Sequence, residues 1–479
     1  MTIDPYDAHR RDERDRGTRG ASTQLQAIST WQGWSASLDV AVQLRSRFKP
    51  QIVSIRTMES GESTSKFPDE FDPFAQATIE SPYAFYRSLR THAPVYRVPK
   101  ADYYLVTRHA DIKAVVMNPA TYSSNLTSIV VAQTDGSVSS LDVGQLGIGP
   151  VDVLAVQDPP AHTRQRALTQ PRFAMRMVRG REQSVRAQAS ELLDVALENQ
   201  GETNWMKKFA YLLPMNVIMD IIGLPLADRD QLRAWSDLAI ALLSGTSSAE
   251  QMASHAMGAL SLFQYLQARF EEARRDPKDD LLGLLAEATG TDDDALTVEE
   301  SVSILLQLII AGNESTAGLI GSATRLLAEN PNLQDALRQD PSRIALFVEE
   351  AVRLESPFQG HFRKTREATE LAGVSLPEGA RLMVVWASGN RDERVFQRAD
   401  SIDLDRPNAR AQLSFGHGIH LCIGAQLARL EAKVAIEELL KRTTRFEMAG
   451  PVRHVSSVFV RTPAELPLEL HADYAQRNA

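Results

Sequence analysis

A single cysteine, Cys422, stands in a chain of 479 residues. That scarcity excludes an internal disulfide and a cysteine-ligated iron–sulfur cluster, and it fits a reducing compartment. Long apolar runs are also missing: none reaches the roughly 18 residues needed to cross a bilayer, so no membrane anchor is expected. The opening stretch, MTIDPYDAHRRDERDRGTRG, lacks the apolar core of a secretory signal. Its acidic residues Asp4, Asp7, Asp12, Glu13 and Asp15 are foreign to a transit peptide. A cytoplasmic location is the expectation. Basic charge is not in excess either: the formal net charge is -9, which argues against nucleic acid and anionic membranes as partners.

What is present is ordinary globular composition, 43% hydrophobic and 24% charged. At about 150 residues per domain the length suits three domains, but motifs spread over most of the chain favour one. Residues 1–66 mix charge, Ser, Gly and Gln and read as an N-terminal extension, a solvated tail with a short helix near Ser29–Phe48. Beyond it, 67–479 reads as one mainly helical domain with a small β region. Val95–Val98 and Tyr103–Val106 are β-like runs around a turn, followed by a helical pattern at 109–117. Residues 121–157 carry no helical period and form a loop long enough to suggest function. Helical patterns fill 162–287, broken at Gly201, Gly223, Gly245 and Pro277. The segment 358–420 reads as strands and irregular chain. A last amphipathic helix, with Leu427, Leu430, Val434 and Leu439 on one face, ends near Arg442, and short strands follow Pro451.

Around the cysteine the sequence is Ser414-Phe415-Gly416-His417-Gly418-Ile419-His420-Leu421-Cys422-Ile423-Gly424-Ala425. Gly416 and Gly418 permit positive φ and close approach of backbone to a flat ligand. Cys422 is expected at the N-terminal edge of the last helix, where the dipole and free N–H groups favour a thiolate. A lone cysteine is more often a small buried hydrophobe; the surrounding Phe, His and glycines make that unsatisfactory here. The run F-G-H-G-I-H-L-C-I-G resembles the haem-binding signature of the cytochrome P450 family, complete at Phe415, Gly416, Gly418, His420, Cys422 and Gly424. The resemblance implies haem b as cofactor, with Cys422 as its iron ligand and His420 bonding a haem propionate. A thiolate pushes electron density toward O–O cleavage.

Other segments resemble the family's landmarks in order. Glu350-Ala351-Val352-Arg353 resembles its E-x-x-R element, which implies a buried pair bracing the loop before the cysteine, with Arg406 as third partner; alone, such a pair is usually a surface salt bridge. Asp158-Pro159-Pro160-Ala161-His162, with Arg166 one turn on, reads as a helix start. By resemblance, His162, Arg166 and Arg363 hold propionates. Thr297-Val298-Glu299-Glu300 is a capping box opening a long apolar helix. Its centre places Ala311, Gly312, Asn313, Glu314, Ser315 and Thr316 together, a break with local rules that suggests function. The stretch resembles the family's oxygen site, with Ala311 and Gly312 against the haem. Glu314 takes the acid's place, and Ser315 the alcohol's, where the family usually has Thr. Thr316 is a possible substitute.

The resemblance implies a single large helical domain enclosing haem. It would use O2 and electrons from a separate ferredoxin and ferredoxin reductase, or an equivalent donor, to hydroxylate a medium-sized apolar substrate of the terpenoid, steroid, fatty acyl or polyketide kind. Leu308, Phe358, Gln359, His361, Val458 and Phe459 are candidate pocket residues. Two other readings stay open: a peroxide-using or oxidative-coupling haem-thiolate enzyme, and a haem-based sensor or gas carrier.

Overall fold

The computed structural model describes residues 75–473, apart from 100, 126–127, 133–137, 143–149, 199–200 and 293. The extension assigned to residues 1–66, with its helix near Ser29–Phe48, lies outside the described residues. The rest belongs to one compact unit, Thr64–Ala479, where length alone suited several.

The organising element is the helix Val298–Ala328. Thr297 accepts from the Glu300 N–H at 3.1 Å, and the Glu300 carboxylate accepts from the Thr297 N–H at 2.9 Å, so the expected capping box closes both ways. By length and composition this helix could cross a membrane, but 72% of its most apolar window is buried within the protein. It is a core helix, packed by Leu212–Ile222, Ile344–Leu354 and Ala425–Arg442. Close packing needs small residues: a Cβ on Gly318 would sit 2.7 Å from the Thr462 hydroxyl and 3.2 Å from Pro357.

Beside this helical mass lies a five-stranded sheet, ordered Val95–Arg97, Tyr103–Val106, Arg381–Val384, His361–Thr365, Tyr122–Ser123. Only Tyr103–Val106 and Arg381–Val384 run parallel. A second, antiparallel sheet joins Thr443–Met448, Pro467–Ala472 and Gly201–Asn204. The β structure is therefore split between regions remote in sequence rather than gathered in one. The stretch 121–157 is also not irregular throughout: Ser128–Ala132 pairs with Val138–Asp142 as a hairpin. Each strand has only five residues, too few for a helical-period test to register.

The Glu350–Arg353 pair sits at the heart of the fold. Arg353 donates to both carboxylate oxygens, at 2.7 and 2.9 Å, and Arg406 Nε joins at 2.9 Å. The remaining donors of Arg353 reach the carbonyls of Asn390, Ala399 and Ser401. Burial lowers the Arg353 pKa and Glu350 opposes that shift. The group ties 390–406 to the helix Ile344–Leu354.

Candidate active site

The cysteine loop is built from its glycines. Gly416 and Gly418 adopt φ of 72° and 73°, which side-chain-bearing residues rarely tolerate. A Cβ on Gly418 would also lie 2.7 Å from the Val116 carbonyl. The Cys422 N–H donates to the Phe415 carbonyl at 2.8 Å, closing the loop. From below, Asn390 fastens it: its Oδ1 accepts from the Leu413 N–H at 2.6 Å, and its Nδ2 donates to the hydroxyls of Ser414 and Ser356 at 2.7 and 2.9 Å. Sequence reading missed Asn390, whose partners lie on two other segments.

Cys422 stands three residues before the helix Ala425–Arg442. Burial pushes its thiol upward; the Gly424 N–H, Arg166 and Arg429 pull the other way without reversing the shift. A metal cation bound to the sulfur would favour the thiolate.

Cys422 lines a cavity together with Leu308, Ala311, Gly312, Ser315 and Thr316 of the central helix. Phe358 and His361 line it, as do Phe415, Gly416 and Gly424, while Gly418 lies outside its lining. Of the other pocket candidates, Gln359 and Val458 line a separate small cavity, and Phe459 backs Phe358 and His361, with ring centroids 5.1 and 5.2 Å away. Gln307 was overlooked. Its amide accepts from the Ala155 N–H and donates to the Val153 carbonyl, pinning 153–155 to the cavity's edge. An amide inside an apolar helical run was the available signal.

His162, Arg166, Arg363 and His420 all face this cavity. The rings of His162 and His420 lie 4.3 Å apart. Both His420 nitrogens are buried without a partner. Burial, then Arg363 and His162, push the His420 imidazole down to about 3. Burial likewise brings Arg363 down to about 10 and lowers His162 and Arg166. Asp158 opposes these shifts at His162, Arg363 and His420 without reversing them. The helix Ala161–Thr169 starts where Asp158 and its two prolines predict, with the Asp158 carbonyl accepting from the His162 N–H, while the Asp158 carboxylate accepts from Ser123, the Ser124 N–H and Arg366. Four crowded bases, His420 among them with both nitrogens unpartnered, suit a ligand carrying two carboxylates. Leu421, 46% exposed, lines the same space. A flat apolar dianion with a thiophilic metal at its centre, haem above all, fits these residues.

On the central helix the alcohol and acid part company. The Ser315 hydroxyl donates to the Ala311 carbonyl at 2.7 Å. Glu314 faces away from Cys422, into a second, polar cavity with Tyr211, Asp237, Ser247 and His255. Its Oε1 has no partner. Burial raises the carboxyl to about 7, with Thr462 opposing, Asp237 adding and Arg233 opposing. Neighbouring Asn313 is fully buried with neither amide atom bonded.

Known proteins carry the same design. Residues 246–452 match the family model for cytochrome P450. Cytochrome P450 144 of Mycobacterium tuberculosis is 36% identical over 82% of this chain and 90% of its own length. The vitamin D(3) 25-hydroxylase of Pseudonocardia autotrophica is 32% identical over 85% of this chain and 98% of its own. Among solved structures, cytochrome P450 CREJ in complex with (4-ethylphenyl) dihydrogen phosphate superposes with a TM-score of 0.77 at 29% identity, over 84% of this chain and 99% of that one. P450BioI, solved with an acyl carrier protein bearing hexadec-9Z-enoic acid, gives 0.74 at 29% identity, over 82% and 100%. With its thiol, its basic edge and its acid–alcohol helix, the chain belongs to the cytochrome P450 family and is a monooxygenase.

Proposed function

We propose that this monooxygenase hydroxylates a medium-sized apolar substrate with O2, in the cytoplasm, drawing electrons from a separate ferredoxin and its reductase. The observation that carries the reading is that Cys422 and Ser315 line one largely apolar cavity. Cys422 would ligate the haem iron, His162, Arg166, Arg363 and His420 would hold its carboxylates, and Ala311 and Gly312 would lie against its face. Haem supplies the activation of O2 and the transfer of one oxygen atom to substrate. Everything else falls to side chains. The apolar wall, with Phe173, Ile218 and Leu308, excludes water and suits a terpenoid, steroid, acyl or polyketide skeleton; relatives that act on vitamin D(3) or bind an acyl-loaded carrier protein are consistent with that range. With one cysteine the chain has no thiolate set for its own iron–sulfur cluster, hence the separate electron donor.

Glu314 holds a proton near neutrality and faces the second cavity, from which protons are drawn. Ser315 passes them on: its hydroxyl leaves the Ala311 carbonyl by a rotamer step of about 120°, which a serine without the threonine methyl makes readily. Ser315→Ala should leave substrate-induced spectral shifts intact. It should raise hydrogen peroxide released per electron pair several-fold, with product falling to match. Unchanged coupling would transfer the role to Thr316 or to water.

The pH dependence has a definite sign. A carboxyl raised to about 7 is a donor below that pH and a carboxylate above it. Product formed per O2 consumed should therefore fall as pH rises through about 7 in the wild type, and Glu314→Gln should flatten the profile; a matching profile in the variant would remove Glu314 from the path. The reaction class is tested by turnover under 18O2 with a surrogate ferredoxin system and a lipophilic substrate panel. One labelled oxygen in the product supports it, and turnover sustained better by hydrogen peroxide alone overturns it.

A further inference from the structure

The wall of the main cavity carries a polar group that no task so far explains, His361. The indole Nε1–H of Trp386, which can only donate, reaches His361 Nδ1 at 2.7 Å. Nδ1 must therefore present its lone pair, and the ring's single proton sits on Nε2. The ring cannot readily turn over to exchange the two nitrogens. Phe358 packs on it with centroids 5.2 Å apart, Phe459 meets it edge-on at 5.2 Å, and Trp386 is only 2% exposed. A second proton would set N–H against N–H, and burial together with Arg363 opposes it as well, bringing the imidazole down to about 3. Nε2 has no hydrogen bond to any described residue, is not among the buried unpartnered atoms, and belongs to a side chain lining the cavity.

Several other polar groups around this space already have partners. Gln307 is bonded at both ends of its amide, Ser315 donates to Ala311, and Arg166 donates to the Leu421 carbonyl at 2.6 Å. His361 is thus a fixed, neutral donor beside the apolar Phe358 and Pro357. Charged bases suit carboxylates; a neutral N–H suits a neutral oxygen.

We propose that His361, locked by Trp386 as the Nε2–H tautomer, is a specificity-determining residue that selects substrates bearing a neutral hydrogen-bond-accepting oxygen, a ketone or ester carbonyl, on an otherwise apolar frame. The inference rests on the reading of this cavity as the haem and substrate chamber.

The test uses haem-loaded wild type, His361→Phe and Trp386→Phe, titrated with trans-1-decalone and with trans-decalin as matched probes and followed by the haem spin-state shift. The preference for the ketone should be about 5-fold greater in wild type than in His361→Phe, the size of one net hydrogen bond, with Trp386→Phe between them. Nitrogen NMR of 15N-histidine-labelled ferrous carbonyl protein, which needs no bound probe, should show His361 protonated at Nε2 in wild type and a tautomer mixture in Trp386→Phe. Equal preferences in wild type and His361→Phe, or an Nδ1–H tautomer, overturn the proposal. Equal preferences with faster haem loss from His361→Phe give the donor to a haem carboxylate, and overturn it too. A protein without a thiolate-type carbonyl band fails the reading of the chamber itself; an intact band with equal preferences fails this inference alone.

Discussion

Glu350→Ala should cost about 3–5 kcal/mol of stability, the range for breaking a buried ion pair, read as a lowered denaturant midpoint and faster haem loss. The size follows from what the substitution leaves behind. Arg353 and Arg406 are 0% and 7% exposed and would share a site with no anion. The Asp403 N–H, which donates to Glu350 at 2.9 Å, would lose its acceptor as well. A simple buried pair can often be exchanged for apolar residues at little cost. This one should resist even the triple change to Leu, Met and Leu, because the two arginines also satisfy the carbonyls of Asn390, Gln397, Arg398, Ala399 and Ser401, and buried carbonyls stripped of donors are costly. A loss below about 1 kcal/mol for Glu350→Ala, within the range of an ordinary surface substitution, would show that the network does not brace the fold.

Cys422→Ser should abolish hydroxylation while far-UV circular dichroism stays unchanged. The thiol makes no side-chain hydrogen bond that the fold relies on; the loop is held by the Cys422 N–H, by Asn390 and by Gly416 and Gly418, all of which survive the change. Activity has no such reserve. No other cysteine exists in the chain, and an alcohol is too weak an acid to serve as an anionic ligand in a site that already pushes a thiol upward. His420, two residues away with both nitrogens unpartnered, is the nearest alternative base. An imidazole ligand would lack the thiolate's electron push. Substantial product from Cys422→Ser would remove the cysteine from the chemistry.

Much of this site was legible where a local rule governs it. The capping box at Thr297 and the positive φ at Gly416 and Gly418 are decided within a few residues. So is the end of the last helix at Arg442, and each appears where periodicity and turn chemistry place it. The central stretch of the helix Val298–Ala328 stood out because Gly, Asn, Glu and Ser interrupt an apolar run. What could not be read depends on contacts between distant segments. Asp158 before two prolines marks the helix start as expected, but the partners of its carboxylate, Ser123 and Ser124, lie more than 30 residues earlier. Glu314 and Ser315 are neighbours in sequence, but the helix turns them to different cavities, and the second cavity exists only where Asp237, Ser247 and His255 pack beside them. Asn390 looks like a loop residue and acts as the clasp of the cysteine loop. The tautomer of His361 hangs on a tryptophan 25 positions away. Of six residues offered as pocket wall, Leu308, Phe358 and His361 face the main cavity. Gln359 and Val458 line a separate cavity and Phe459 packs behind Phe358 and His361, placements set by contacts between segments about 100 residues apart.

The central claim is that Cys422 binds haem iron as a thiolate. The measurement that tests it most directly is the visible absorption spectrum of the reduced, purified protein before and after carbon monoxide. A strongly red-shifted carbonyl band is the predicted result; a band of the histidine-ligated type, or no haem absorption at all, would contradict the account.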